Sequence, residues 1–226
     1  VALARPRFAP LGAPIGAGTA ADFYQLNQFR PPHEQADFVH WSMNPQVHAF
    51  DLASIAETPT AIAAQLESAR SFFPGKPLVV SPVTLKPRFN AVAATREKPP
   101  APGELPPPVD ARQLSPFAAA WTLSVIKHLA ENGAASVTLF ETTGWRGVLE
   151  GDAGSPLPEA FPSEPGQLFP LYHVLAEIGA FAGGEAIATC SSAPLRIASL
   201  VLMQTHRECL LLANLPDQPE TVRITG

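Results

Sequence analysis

The feature that most constrains this chain is a repeat. A short apolar run ends in polar residues and is followed by an apolar-periodic helix, again and again from about Pro14 to Gly183. Such alternation builds parallel sheets, because each crossover helix returns the chain to start the next strand in the same direction. Pro14-Ile-Gly-Ala-Gly-Thr19 reads as the first strand, emptying into a helix over Ala20–Phe29. Its Gly-x-Gly is too short for a phosphate loop and has no acidic ribose partner downstream, so it reads as tight packing. Asp37–Met43 is the second strand and Asn44–Asp51 its exit loop. Thr58-Pro59 then supplies an N-cap and a proline at the first helical position. Ile62, Leu66, Ala69 and Phe73 follow at helical spacing, and Pro74-Gly75 ends that helix. Lys76–Leu85 is the third strand, apolar enough for burial on both faces. Ser115-Pro116 opens the next helix, Phe117, Trp121, Val125 and Leu129 step along its buried face, and Gly133 closes it. Ala135–Phe140 is the fourth strand. Leu171, Val174, Leu175 and Ile178 mark the last helix.

Beyond Gly183-Gly184 the period changes to two. Ile197–Thr205, Glu208–Asn214 and Glu220–Ile224 read as an antiparallel meander. The chain thus offers four βα units and then β structure. A closed barrel needs eight units, and four parallel strands alone leave two open edges. The expected architecture is α/β: the second half of a (β/α)8 TIM barrel over residues 1–185, then antiparallel strands of an appended β-sandwich over 186–226. An intact doubly wound domain is the alternative, and it would need a fifth strand from the C-terminal segment. The start, Val-Ala-Leu-Ala-Arg-Pro-Arg, has neither an initiator Met nor a signal-peptide layout. We expect a cut within a longer chain, with the N-terminal half of the barrel as its partner.

Composition excludes several classes. Charged residues make up 15% and the net charge is −5, with no run of Lys or Arg. That argues against nucleic acid or an anionic membrane surface as partner. No stretch approaches the ~20 apolar residues of a spanning helix. Cys190 and Cys209 lack metal-ligand spacing; pairing is the alternative, and they read as half-buried free thiols of a reducing compartment, which fits the cytoplasm. Prolines cluster in 98–109 and 154–165, so both segments read as long loops.

The carboxyl ends of barrel strands are where chemistry is placed. Glu141, at the end of the fourth strand, is the candidate general base, acid or nucleophile. Its structural alternative is an ion pair with Arg146 or Arg88. His48, in Asn44-Pro-Gln-Val-His48, is a candidate proton shuttle; otherwise it is a loop histidine bonded to Asp51. His40, within the strand, reads as a core histidine. Lys86 and Arg88 flank Pro87 and can hold an oxyanion, Arg88 in bidentate fashion, or they are a solvated pair at the rim. Asn44, Gln46 and Asn90 are candidate partners for substrate hydroxyls, Trp145 for the face of a sugar ring, and Arg146 for substrate or Glu141. No Gly-x-Ser-x-Gly elbow and no His-Glu-x-x-His zinc motif occurs. No metal and no cofactor is called for, although His48 and Glu141 could join ligands from outside this chain in a metal site.

Three segments carry a resemblance. They are Asp37-Phe-Val-His-Trp-Ser-Met-Asn-Pro-Gln-Val-His-Ala-Phe-Asp51, Phe73-Pro-Gly-Lys-Pro-Leu-Val-Val-Ser-Pro-Val-Thr-Leu-Lys-Pro-Arg-Phe-Asn90 and Phe140-Glu-Thr-Thr-Gly-Trp-Arg-Gly147. Together they resemble D-apionate lactonases, from about Pro14 to the C-terminal strands. Tyr172-His-Val-Leu-Ala-Glu-Ile-Gly-Ala-Phe-Ala-Gly-Gly184 is similar to the final barrel helix of many glycoside hydrolases. The resemblance implies a glycosidase-like barrel with β domains that hydrolyses D-apionolactone to D-apionate in the bacterial catabolism of apiose. It also implies a much longer parent protein. Large-clan retaining glycosidases carry carboxylates after the fourth and seventh strands. Here the penultimate strand ends in Lys86-Pro-Arg88, which departs from a two-carboxylate glycosidase. The other carboxylate could lie in the absent half, and the activity that the resemblance implies is lactone hydrolysis by a carboxylic-ester hydrolase. The alternatives are a barrel glycoside hydrolase and an inactive carbohydrate-binding barrel.

Overall fold

A computed structural model describes residues 1, 3–88 and 99–225. Asn90 lies outside the described residues. Four strands, β1 (Gly16–Gly18), β2 (Phe38–Met43), β3 (Leu78–Val83) and β4 (Ser136–Leu139), form one sheet in the order β1-β2-β3-β4. All three pairings are parallel. A short helix α1 (Arg5–Phe8) precedes β1, and helices α2 (Phe23–Phe29), α3 (Leu52–Glu57), α4 (Ile62–Phe72), α5 (Pro116–Glu131) and α6 (Pro170–Gly179) fill the crossovers and follow β4. The βα repeat read from the sequence is therefore present, strand by strand.

Alternation fixes which face is covered. In β2, Val39, Trp41 and Met43 are buried while Phe38, His40 and Ser42 are half-buried. The buried set joins Leu78 and Val80 of β3, Ile62, Leu66 and Ala69 of α4, and Trp121, Val125 and Leu129 of α5 in one core. Gly16 stands beside Phe38 so closely that a Cβ there would meet its ring at 2.4 Å. That is the tight packing expected of the glycine pair, and no phosphate loop is formed.

Three local expectations need correction. The helix after β2 begins earlier than Thr58-Pro59, because Asp51 caps α3 by accepting the Ser54 N–H at 2.9 Å. Thr58–Ala61 is a 3-10 turn joining α3 to α4, and the Thr58 hydroxyl donates back to the Ser54 carbonyl instead of capping. Second, α5 is not buried on a single stripe. Phe117, Trp121, Val125 and Leu129 meet the parallel sheet's core, but Ala120, Leu123 and Ile126 on its other side pack against a second sheet.

That second sheet is antiparallel, in the order β5 (Glu185–Ile187), β6 (Ile197–Gln204), β7 (Arg207–Asn214). Glu220–Ile224, expected as a strand, is not one. Val222 and Ile224 are exposed and the segment pairs with no strand among the described residues. Glu185–Ile187 takes the third place in the sheet instead, closed tightly by Gly184, where a Cβ would lie 2.5 Å from the Met203 carbonyl oxygen. Lys127 of α5 is buried yet satisfied. Its ammonium donates to Glu131 at 2.5 Å and to the Thr189 carbonyl at 2.9 Å, bridging α5 and the chain between β5 and β6.

Candidate active site

Parallel strands bring their exit loops to one end of the sheet. There the structure joins Arg88, Glu141 and Arg146. Glu141 Oε1 lies 2.7 Å from the Arg146 guanidinium and 3.5 Å from that of Arg88. Both of the alternatives foreseen for a structural partner of Glu141 are thus realised together. All three side chains remain about a third exposed, and a cleft of about 370 Å³ opens beside them, with Trp145, Gly144, Glu150 and the prolines 106, 108 and 156 in its walls.

The backbone explains how Arg146 turns back onto Glu141. Phe140, buried against Trp121, has φ 56°, a left-handed conformation that bulky residues seldom adopt. It redirects the chain as β4 ends. The Glu141 N–H then donates to the Arg146 carbonyl at 2.9 Å, and the Gly147 N–H to the Gly144 carbonyl at 2.7 Å. A Cβ at Gly147 would sit 2.6 Å from the Thr143 carbonyl carbon and 2.8 Å from the Thr142 oxygen. Only glycine allows that approach. Gln113 secures the turn from below, donating to the Gly147 carbonyl at 2.8 Å. Trp145 is fixed by its indole N–H on the Ser155 hydroxyl at 3.0 Å and by the Phe161 ring, 6.2 Å away between centroids.

The other candidate residues are placed differently. Gln46 is 3% exposed, and its amide bonds through both ends. Nε2 donates to the Leu85 carbonyl and to Asp110, both at 2.6 Å, and Oε1 accepts from Arg112 at 2.7 Å. It ties the exit of β2 to the exit of β3, with both amide hydrogens already given. Burial pushes the Asp110 carboxyl up, but hydrogen bonds from Arg112 and Gln46 and the Arg112 charge outweigh it and hold the group below its ordinary value. Asn44 accepts the Gln46 N–H at 3.2 Å, an Asx turn that shapes this loop. Lys86 donates to the Val109 carbonyl at 3.1 Å, behind the cleft wall. His48 is exposed, and among the described residues no hydrogen bond or ion pair joins it to Glu141 or to Asp51. The Asp51 carboxylate is occupied by Ser54. His40 is half-buried on the open sheet face, where burial lowers its pKa.

Sequence reasoning missed Glu150, Gln113 and the Asp110–Arg112 pair. Glu150 is nine residues past Glu141 and reaches the same cleft only because residues 143–149 double back, with Leu149 bridged to both Thr143 and Leu168. No group of three or more His, Cys, Asp or Glu able to hold a metal occurs among the described residues. No helix among them is long and apolar enough to cross a membrane. Cys190 and Cys209 are both free thiols.

A parallel α/β sheet with an ion-paired carboxylate in a cleft at the strands' carboxyl ends defines the class: an α/β protein with its candidate chemistry where barrel enzymes carry theirs. Among solved structures, a GH39 enzyme from Xanthomonas axonopodis pv. citri is similar with TM-score 0.50 and 14% identity, over 92% of this chain and 39% of that one. A GH39 β-xylosidase from Caulobacter crescentus is similar with TM-score 0.47 and 11% identity, over 86% of this chain and 37% of that one. The sequence model of the D-apionate lactonase TIM barrel domain matches residues 1–183, and the chain belongs to that family. A D-apionate lactonase of Brucella anthropi is 30% identical over 213 residues, 94% of this chain. The chain spans about a third of that relative's length, 33%.

Proposed function

We propose that this chain carries part of the active site of a sugar lactonase, and that the substrate is D-apionolactone. The observation that carries the reading is the Arg88–Glu141–Arg146 cluster at the strand ends, over a cleft that also holds Trp145. Family membership and the name of the Brucella anthropi relative support the substrate class.

In the proposed reaction a water oxygen bonds to the lactone carbonyl carbon while Glu141 takes the water proton. The tetrahedral oxyanion is stabilised by the guanidinium of Arg88 or Arg146, a role worth about 3–4 kcal/mol per donor elsewhere. Collapse breaks the bond from acyl carbon to ring oxygen, and that oxygen receives the proton from Glu141. The product acid then ionises. Trp145 packs on the ring, and Asn90 and Asn44 orient hydroxyls. His48 enters as proton shuttle only if a loop movement carries it to the cleft.

The sheet is proposed as the second half of a (β/α)8 barrel, with a boundary near residue 185 and the antiparallel strands belonging to a β-sandwich. Supporting this, β1 and β4 are sheet edges, Ser136 and Thr138 of β4 are exposed, and the relative is about three times as long. The missing half of the barrel is then the chain's partner, and the reduced thiols fit a cytoplasmic enzyme.

One observation favours a glycoside hydrolase as the second reading: two carboxylates, Glu141 and Glu150, line one cleft. Against it, the matching family model and the curated relative both carry the lactonase name. Full-length parent protein offered D-apionolactone and aryl glycosides separates the two. Acid release from the lactone alone supports the lactonase; release of phenol from glycosides with no lactone turnover overturns it.

A further inference from the structure

Glu150 is an unusual group to find in this cleft. It is 3% exposed, and no Lys or Arg pairs with it among the described residues. A buried carboxylate without a cation is costly unless donors replace the lost water. Two do: the Gly151 N–H at 2.8 Å on Oε1, and the buried Ser163 hydroxyl at 2.5 Å on Oε2. A carboxylate has about four acceptor positions, so one on each oxygen remains unused by these bonds. The segment that holds it is rigid, since the Glu150 N–H donates to the Gln167 carbonyl at 2.8 Å and the Phe169 N–H to the Val148 carbonyl at 3.0 Å.

Among the described residues, Glu150 shares the cleft lining with one other carboxylate, Glu141, and one cation, Arg146, with Arg88 beside them. Arg88 and Arg146 both lean on Glu141, and Lys86 lies behind the wall at Val109. Without Glu150 the two guanidiniums would outnumber the single carboxylate between them, and the cleft would favour an anion. Lactone hydrolysis turns a neutral ring into a carboxylate, so such a cleft would hold its own product.

The geometry points to Glu150 as a specificity-determining residue that accepts a hydroxyl of the neutral lactone and expels the carboxylate product. This rests on the lactonase reading of the cleft. Ser163 acts through Glu150 as a positioning residue, aiming its carboxylate.

The test uses the full-length enzyme. Glu150→Gln keeps the shape and removes the charge. Binding of D-apionate, measured by calorimetry, should tighten about tenfold, while the KM for D-apionolactone rises about tenfold. Unchanged or weaker D-apionate binding overturns the proposal. Ser163→Ala keeps the charge and frees the carboxylate: the KM should rise with no tightening toward D-apionate, and an unchanged KM overturns the positioning role. If Glu150→Gln does not fold, Glu150→Ala is measured in its place, with the same tightening toward D-apionate expected and unchanged or weaker binding overturning the proposal. If the wild-type enzyme turns over no lactone, the lactonase reading fails, whereas D-apionate binding to the two forms still decides the role of the Glu150 charge.

Discussion

Replacing Asp110 by Ala tests whether Gln46 is structural. Asp110 is buried and accepts from the Arg112 guanidinium at 2.9 and 2.7 Å and from Gln46 at 2.6 Å. Hydrogen bonds to a charged group contribute about 1.5–3 kcal/mol each, and breaking a buried ion pair costs about 3–5 kcal/mol. Arg112 keeps a quarter of its side chain in water, with 26% exposure, so it rehydrates in the variant and the low end applies, about 3 kcal/mol. For a chain of this size about 1 kcal/mol moves Tm by about 2–4 °C, so Tm should fall by about 6–12 °C. Differential scanning calorimetry at pH 7 measures it. The pH dependence gives a second check. Asp110 is depressed in the folded state, so its contribution is whole above the unfolded carboxyl value and is lost as pH falls through the folded one. Wild type should therefore lose stability below about pH 4 more steeply than Asp110→Ala. A Tm change under 2 °C with parallel acid profiles would refute this account and return Gln46 to the list of substrate contacts.

Other outcomes follow from the same geometry. Gly147→Ala should distort the turn, at about 1–3 kcal/mol, and lower turnover by displacing Arg146, as steady-state kinetics and thermal melts will show. Arg146→Met removes a partly solvated ion pair, so stability should change by no more than about 1 kcal/mol while kcat falls about 100-fold or more; a large Tm loss with normal kcat reverses that assignment. Leu66→Ala, at a fully buried position of α4, should cost about 2–5 kcal/mol in denaturant titration. His40 is lowered by burial, so its protonation opposes folding below pH ~6.5; His40→Gln should flatten the stability profile there.

Local signals mark the elements that are settled locally. Ser115-Pro116 starts α5 where cap and proline chemistry place it, and the Ser115 hydroxyl accepts the Ala118 N–H. Gly133 ends α5 with φ 68°. The ion pairs of Glu141 with Arg88 and Arg146 were legible because all three lie just past the ends of neighbouring strands. What stayed hidden depends on distant partners. Gln46 looks like a loop amide until Asp110, 64 residues on, comes to meet it. Glu150 is separated from Glu141 by a turn whose shape depends on Gly147 and Phe140, neither of which announces a left-handed or crowded backbone in sequence. Glu220–Ile224 alternates like a strand, yet no sheet edge accepts it, while the three residues of β5 are too few to carry a period.

The most direct measurement is turnover of D-apionolactone by the full-length enzyme with Glu141→Gln. A charge-free isostere between Arg88 and Arg146 should leave the melting curve within a few degrees and reduce kcat by about 100- to 10,000-fold. Turnover close to wild type would remove Glu141 from the chemistry and with it the role assigned to the strand-end cleft.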